Sequence, residues 1–319
     1  MAQLEAVSHP TRISPVIRLL AFEMSETDID IWTKWLLHRR DAGSPGLKRQ
    51  SIEYLQPIRD RVLDNAQLEE GKTLLDVGCG DGLIAFGALE RTQSGDVIFS
   101  DISQDLLDRC KELAEELRVI DRCTFVKAPA DDLSALDDGS VSVVTTRSVL
   151  IYVESKAVAL REFHRVLAPG GRFSLFEPIN RFGYPAPDHM FSGYDVTPVA
   201  DLARKVKDVY RQARPEYDDP MINFDERDLL LFAEEAGFAQ VHLRLEVNIE
   251  PPSDEGDWEA FFHRAPNPLA PTLAEASSQS LSLVEAEKFI AHLRPLVESQ
   301  RGRRKMAVAY LWGEKIGDG

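Results

Sequence analysis

Hydrophobic and polar residues follow two different rhythms along most of this chain. Short apolar runs such as KTLLDV (72–77) and DVIFSD (96–101) have the length and composition of buried strands. The stretches between them repeat apolar residues every three or four positions, as amphipathic helices do. Strands are predicted at 72–77, 96–101, 123–128, 140–146, 172–178, 239–247 and 305–315, and helices at 82–91, 103–118, 155–167 and 225–238. This alternation predicts βαβ units and a mostly parallel sheet.

The part of the chain before the first strand has a helical pattern. Apolar positions three and four residues apart form one stripe that ends at Leu36, and Ser25 or Thr27 would be the N-cap of that helix. A second helix is predicted around SIEYLQPIRDRVLDNA, and Pro57 should kink or divide it. Residues 1–65 are therefore expected to form a helical cap.

Two later segments lack a regular rhythm. Residues 181–215 and 251–303 are rich in proline and aromatic residues, and only 282–298 has a clear helical pattern. The expected domains are an N-terminal cap at 1–65, a core at 66–250, and a substrate-side insertion at 251–319 that also contributes the last core strand at 305–315.

The composition is that of an ordinary globular protein with an acidic surface. Of the 319 residues, 44% are hydrophobic and 28% are charged, and the formal net charge is −16. An acidic surface repels a phosphate backbone, so no nucleic-acid partner is expected. Cys79, Cys110 and Cys123 lack CxxC spacing, which argues against a disulfide framework and against a zinc site.

Nothing in the sequence predicts export or a membrane span. The N-terminus lacks the basic-then-apolar layout of a signal peptide, and the apolar runs are much shorter than a spanning helix. We expect a cytoplasmic location.

The stretch TLLDVGCGDGLIAFGALER (73–91) places a glycine loop between a strand and a helix. Because glycine has no Cβ, such a loop lets the backbone approach a ligand closely. The nicotinamide-binding fingerprint GxGxxG would require glycine at Leu83, whereas the spacing here is GxGxG. Asp76 has no place in that fingerprint, but its carboxylate would attract the ammonium of an amino-acid ligand directly or through water. The alternative is a plain tight turn.

Asp101 ends the next predicted strand. If the two strands lie side by side in a parallel sheet, Asp101 falls beside the glycine loop at the carboxyl edge, where ligands of open α/β sheets bind. A carboxylate there can accept hydrogen bonds from both hydroxyls of a ribose. The alternative is that Asp101 shares the N-cap of the following helix with Ser103.

Several motifs in this order resemble the class I S-adenosylmethionine-dependent methyltransferases. They are LLDVGCGDG, SDIS, APADDLSALDDGSVSVV and ALREFHRVLAPGGRFSLFEP. The chain looks most like the branch that methylates small molecules and quinone precursors, over Lys72–Val247 and again over Lys305–Lys315. The resemblance implies an α/β fold with a Rossmann-like, doubly wound, seven-stranded sheet. Its last strand would be antiparallel, with an N-terminal helical cap and insertions after strands five and six.

The resemblance also implies S-adenosylmethionine as the cofactor. Gly78, Cys79 and Gly80 would lie along its methionine part, with Asp76 toward the ammonium. Asp101 would hold the ribose hydroxyls.

Further along the chain, the same resemblance places residues around the adenine and the sulfonium. Ile102 would pack on the adenine, and Ala130 and Asp131 would lie at its edge. Arg147, at the end of the fourth strand, would face the sulfonium end. The family often has Asp where this chain has Pro129, which makes the adenine contact less secure.

The implied reaction is methyl transfer to a small organic acceptor, such as a secondary metabolite or a quinone-like compound. Positioning can supply most of the rate, and a base is needed only if the acceptor loses a proton in the transition state. The candidate bases are His189, Glu177, Asp188 and His263, of which His189 is best placed because it lies in an aromatic loop. A surface histidine is the alternative. Tyr152, where the family often has histidine, would line the acceptor pocket or be a core aromatic.

Other functions remain open at this point. The acceptor would be a peptide, or the protein would bind S-adenosylmethionine without methylating; the GxGxG spacing argues against a dehydrogenase. No metal site is expected, because the acids Asp137 and Asp138 are typical of a solvated turn.

The aromatic residues outside the core predict a covering element. They concentrate in Trp32–Arg40 and in residues 181–194 and 251–303, all of which can reach the carboxyl edge of the sheet. Exposed in such number they would favour aggregation, so they are expected to line a pocket as a lid. A homodimer interface is the alternative.

Overall fold

The structure is a computed structural model that describes residues 29–213, 219–252 and 256–317. The predicted N-caps Ser25 and Thr27 lie outside the described residues. The first described helix begins after Asp30, whose side chain accepts hydrogen bonds from the backbone N–H groups of Trp32 and Thr33.

Nine strands are present in the described part of the chain. They are β1 (Leu74–Val77), β2 (Val97–Asp101), β3 (Cys123–Lys127), β4 (Val141–Arg147), β5 (Leu167–Pro178), β6 (Met190–Phe191), β7 (Tyr194–Asp195), β8 (Ala239–Glu250) and β9 (Arg304–Glu314). Seven form one sheet in the order β3-β2-β1-β4-β5-β9-β8, while β6 and β7 pair separately. Strands β1 to β5 are parallel, and β9 is antiparallel to both β5 and β8. The predicted seven-stranded sheet with an antiparallel last strand is confirmed.

Helices cover both faces of this sheet. Their bounds are α1 (Ile31–Lys34), which continues as a π-helix (Trp35–Arg39), α2 (Pro45–Ala66), α3 (Leu83–Arg91), α4 (Gln104–Glu116), α5 (Lys156–Val166), α6 (Ala200–Ala213), α7 (Glu226–Glu235), α8 (Trp258–His263), α9 (Leu273–Ser280) and α10 (Leu283–Glu298). Leu63, Phe86 and Leu107 of α2, α3 and α4 are buried on one face of the sheet. Phe163 of α5 and Leu229 of α7 are buried on the other. The fold is therefore the predicted doubly wound α/β fold.

The helix cap predicted at Ser103 is present in the structure. Ser103 caps α4, because its Oγ accepts a hydrogen bond from the backbone N–H of Leu106 at 3.0 Å. Pro57 does not divide α2, which runs through it as one helix. Pro57 and Glu53 are both exposed, so the carbonyl of Glu53 that loses its helical partner can be hydrated.

The later segments contain more helix than the sequence predicted. Helix α6 lies within 181–215, and α8 and α9 precede the helix predicted at 282–298. Together with α10 they enclose a core of their own that includes Tyr194, Phe261 and Phe289. These aromatics are thus buried within the insertion and do not form an exposed set.

Among the described residues, no helix combines the length and the apolar character that crossing a membrane requires.

Candidate functional site

The glycine loop between β1 and α3 has a backbone that favours glycine at each of its three glycines. Gly78, Gly80 and Gly82 have φ of 64°, 56° and 81°. A Cβ on Gly78 would lie 2.3 Å from Cγ2 of Val149, which belongs to the segment after β4. A Cβ on Gly80 would meet only Leu36, at 3.7 Å. The loop is therefore closed by protein at Gly78 and open toward a cavity at Gly80.

Asp101 fixes this loop from the end of β2. One carboxylate oxygen accepts the backbone N–H of Gly80, and the other accepts that of Ser103, both at 2.9 Å. The side chain is 6% exposed, yet the residue lines the cavity. Burial raises the pKa of Asp101, and the bonds from Ser103 and Gly80 oppose that rise. Asp101 thus joins the loop to the start of α4 and forms part of the cavity wall.

Asp76 lies behind the loop, outside the cavity lining. Its carboxylate accepts hydrogen bonds from Oγ1 of Thr145 at 2.9 Å and from the backbone N–H of Ala85 at 3.2 Å. Burial raises the pKa of Asp76 to about 7, although the Thr145 bond and the charge of Arg147 oppose the rise. In the structure, the Asp76 carboxylate therefore connects β1 to β4 and to the first turn of α3. Cys79 is also buried behind the loop, and its pKa is raised by burial and by the adjacent Cys110.

One cavity of about 720 Å³ runs along the carboxyl edge of the sheet. Its first part, which we call the loop half, is lined by the glycine loop and the ends of β2 and β3. The second part, the far half, is lined by the ends of β4 and β5, the start of β9 and one face of α2. The loop half contains Gly78, Gly80, Asp101, Ile102, Leu106, Ala128, Pro129, Ala130 and Asp131; the far half contains Tyr54, Arg147, Phe176, Pro178, Asn180, Arg304, Met306 and Val308.

The segment Trp32–Arg40, which we call the cap segment, closes the cavity from above the loop. Trp32, Trp35, Leu36 and Arg40 line the cavity. This segment contains the π-helix, a conformation common at functional sites, in which the backbone N–H of Arg40 bonds the carbonyl of Trp35 at 2.8 Å. Of the segments predicted to form a lid, the cap segment lines the cavity and residues 251–303 contribute Pro266.

The two predicted catalytic residues lie in different places. Tyr152 lines the cavity, and its ring packs edge-on against Trp32 with 4.9 Å between the centroids. His189 is exposed on the loop before β6 and is not among the cavity residues. Another candidate base, Glu177, is fully buried and accepts the backbone N–H groups of Val149, Leu150 and Ile151. Burial raises the pKa of Glu177 to about 7.

Comparisons of the sequence and of the structure with known proteins all find methyltransferases. Residues 75–175 match the family described as a methyltransferase domain. Over 187 residues the chain is 28% identical to the ubiquinone/menaquinone biosynthesis C-methyltransferase UbiE of Escherichia fergusonii, covering 56% of this chain and 71% of that protein. Over 130 residues it is 34% identical to nocamycin O-methyltransferase of Saccharothrix syringae, covering 40% of this chain and 45% of that protein. Geranyl diphosphate methyltransferase in complex with GPP and sinefungin has a similar fold, with a TM-score of 0.51 at 16% identity over 95% of this chain and 99% of that chain.

The family match contains the glycine loop, Asp101, strands β2 to β4 and most of β1 and β5, in the order that the motifs require. Residues 75–175 are therefore a methyltransferase domain of the kind found in the class I S-adenosylmethionine-dependent methyltransferases. It spans between 33% and 71% of the length of the first curated relatives that it matches.

S-adenosylmethionine is the cofactor of these methyltransferases, and the loop half fits it. The backbone at Gly80 is open toward the cavity, and Asp101 lies beside it at the end of the neighbouring strand. In addition, Oδ1 of Asp81 in the loop is buried and has no hydrogen-bond partner among the described residues. A buried polar atom of this kind is normally satisfied, but Asp81 is not among the residues that line the cavity, so the fit rests on Gly80 and Asp101.

The structure brings most of the predicted site residues together. Of the eleven, Gly78, Gly80, Asp101, Ile102, Ala130, Asp131, Arg147 and Tyr152 line the cavity, whereas Asp76, Cys79 and His189 do not. Tyr54, Arg304 and Met306 also line it but were not predicted. They come from α2 and β9, and no local pattern in the sequence distinguishes their cavity-facing positions from ordinary helix and strand positions.

Proposed function

We propose that this chain transfers the methyl group of S-adenosylmethionine to a small organic acceptor bound in the far half of the cavity. The observation that supports this most is the continuity of the cavity, because one volume of about 720 Å³ joins the glycine loop to the ends of β4, β5 and β9. Catalytic pockets are typically concave and mostly apolar with a few polar groups. A cavity with a cofactor part and a second part of different character is suited to a two-substrate transfer.

In this proposal, the loop half holds the cofactor. Gly80 lies under the methionine part, and the Asp101 carboxylate accepts hydrogen bonds from the ribose hydroxyls. Ile102, Ala130 and Asp131 surround the adenine. Ile102 supports the adenine contact because it lines the cavity with an apolar side chain that is 43% exposed.

The far half would position the acceptor behind the methyl group. Phe176, Met306 and Val308 supply apolar walls, and Tyr152, whose ring packs against Trp32 of the cap segment, supplies a phenol. The bound cofactor supplies the activated methyl group. The protein's part is to align the nucleophile and exclude water, which can account for most of the rate. His189 has no role in this proposal because it is exposed away from the cavity.

Asp101→Asn tests the cofactor site directly. The amide keeps the size of the side chain but loses the charge, so we expect the dissociation constant of S-adenosylmethionine to rise by roughly tenfold or more, equivalent to about 1–2 kcal/mol. Titration calorimetry measures this constant. Asp96→Asn on the exposed turn before β2 is the matched control and should leave it unchanged. An equal constant for wild type and Asp101→Asn would remove Asp101 from the site.

Transfer itself is tested by incubating the protein with methyl-labelled S-adenosylmethionine and pools of small metabolites or peptides. Label appearing in a small organic product supports the proposal. Label in peptides only would make the acceptor a peptide. Cofactor binding with no labelled product in any pool would favour a binding protein that does not methylate.

A further inference from the structure

The cavity is lined by three positively charged arginines, although the protein as a whole is acidic. Arg40, Arg147 and Arg304 all line it, although the chain carries a formal net charge of −16. Burial lowers the pKa of Arg147; the charge of Asp81 opposes this effect, and the charge of Arg40 adds to it. Two guanidinium groups that repel each other across one cavity are stabilised when an anion lies between them.

Arg147 differs from the other two arginines in its surroundings. Arg40 pairs with Asp41 at 3.2 Å, and Arg304 is exposed at the mouth of the cavity. Arg147 is partly buried, and within the described ranges 29–213, 219–252 and 256–317 its guanidinium makes no hydrogen bond or ion pair. A guanidinium has five N–H donors, and a desolvated cation is costly unless it is paired.

The carboxylates around Arg147 are engaged elsewhere or do not pair with it. Asp76 is bonded to Thr145 and to the backbone of Ala85, and Glu177 accepts three backbone N–H groups. Asp81 acts on Arg147 only through its charge. The donors of Arg147 are therefore available to a ligand in the cavity.

The position of Arg147 favours the acceptor over the cofactor as that ligand. In the sheet, Arg147 lies at the end of β4 between the two halves, opposite Phe176 of β5 on one side and one residue beyond the Val77–Thr146 pair with β1 on the other. The phenol of Tyr54 is influenced by the charges of both Arg304 and Arg147, which places the three groups around one part of the far half. The remaining walls there, Phe176 and Met306 among them, are apolar.

Building on the proposed methyl transfer, we propose that the acceptor carries an oxyanion, a carboxylate or a phosphate, on an apolar body, and that Arg147 binds this oxyanion. Arg304 and the Tyr54 hydroxyl at the mouth assist its entry. A guanidinium fits both oxyanions because its N–H groups match their oxygen spacing. In an acidic protein, these arginines supply the local attraction that an anionic acceptor needs.

The test uses the full chain saturated with S-adenosylhomocysteine, the demethylated cofactor, so that no turnover occurs. Octanoate, octyl phosphate and octan-1-ol are titrated as probes with the same apolar chain. We expect at least one anionic probe to bind about tenfold or more tightly than the alcohol. Arg147→Gln should remove this preference while leaving the affinity for octan-1-ol within about twofold. Arg147→Lys should restore part of it, because it keeps the charge without the planar fork.

The control is Arg161→Gln on the exposed side of α5, which removes the same charge outside the cavity and should preserve the preference. Thermal melting of each variant shows whether it is folded. If Arg147→Gln does not fold, the inference is tested by the wild-type preference for anionic probes and by its partial loss in Arg147→Lys. The stronger anionic probe distinguishes a carboxylate from a phosphate.

Three results would contradict either this inference or the proposed function, and they differ from one another. If Arg147→Gln loses affinity for S-adenosylhomocysteine while the preference for anionic probes persists, Arg147 binds the cofactor's own carboxylate and the inference is wrong. Equal binding of all three probes to the wild type also overturns it, with the proposed methyl transfer unaffected. If the wild type does not bind S-adenosylhomocysteine, the proposed function itself fails.

Discussion

At the scale of single residues, Asp76 combines deep burial with an unusual protonation. It is 2% exposed, and its pKa of about 7 lies above the ordinary value of 3.8 because burial disfavours the charged form. The folded protein therefore holds this proton more tightly than the unfolded chain. Since the unfolded chain releases the proton first, stability falls as the pH rises from about 4 to about 7.

Asp76→Asn should remove this pH-dependent loss of stability. We expect the melting temperature of the variant minus that of the wild type to increase from pH 5 to pH 8, corresponding to at most about 2–3 kcal/mol. Melting curves of both proteins without ligand, across this pH range, measure the difference. Glu177 has a similarly raised pKa but is present in both proteins, so its contribution cancels. A difference that stays flat with pH would show that Asp76 is ionised throughout this range in the folded protein.

At the scale of elements, the glycine loop has two glycines with different tasks. Ala at Gly80 would meet only Leu36, at 3.7 Å, so Gly80→Ala should fold with a strain of about 1–2 kcal/mol for its φ of 56°. Its methyl would stand on the floor of the cavity and should weaken S-adenosylmethionine binding. Gly78→Ala should instead destabilise the fold more, because its Cβ would lie 2.3 Å from Val149. Melting curves and calorimetry on the two variants separate these effects. Normal cofactor binding by Gly80→Ala would mean that the loop is only a turn.

The sequence predicts the elements of the sheet well because their signals are local. The strand at 97–101 and the cap at Ser103 depend on residues within a few positions of each other, and both were predicted within one or two residues. Helix α6 was missed although its sequence carries the signal, because Leu202, Val206, Val209 and Tyr210 recur at helical spacing.

The difference between local signals and contacts across the whole chain explains which site residues could be predicted. The ends of successive parallel strands meet at one edge, so Asp101 and Arg147 could be placed from strand positions alone. Tyr54 and Arg304 reach the cavity because α2 and β9 lie beside it, which depends on contacts across the whole chain. Asp76 was placed correctly before the loop, but only the structure shows that Thr145 and Ala85 bind its carboxylate.

At the scale of the whole molecule, the cap segment connects the core to the insertion. On the core side, Asp30 just before it accepts a hydrogen bond from the Ser103 hydroxyl at the start of α4. On the insertion side, Nε1 of Trp35 donates to the carbonyl of Ala265 at 2.9 Å, and Arg39 pairs with Glu275 at 2.6 Å. A segment held at both ends above the glycine loop can keep the cofactor from leaving.

Loosening either end should therefore speed cofactor release. Trp35→Phe removes the indole donor and Asp30→Ala removes the bond to Ser103, so each should increase the dissociation rate of S-adenosylhomocysteine by about threefold or more, and the double variant should increase it further. Stopped-flow displacement measures this rate through the quenching of Trp fluorescence. Arg91→Ala cuts ion pairs to Asp60 and Asp64 on α2, away from the cavity, and should leave the rate unchanged despite a similar loss of stability. Size-exclusion chromatography should give the same oligomeric state for the wild type and all four variants. If the cap variants alter that state and leave the dissociation rate intact, the cap segment belongs to an interface between copies of the chain, and its aromatic residues serve assembly instead of the cavity.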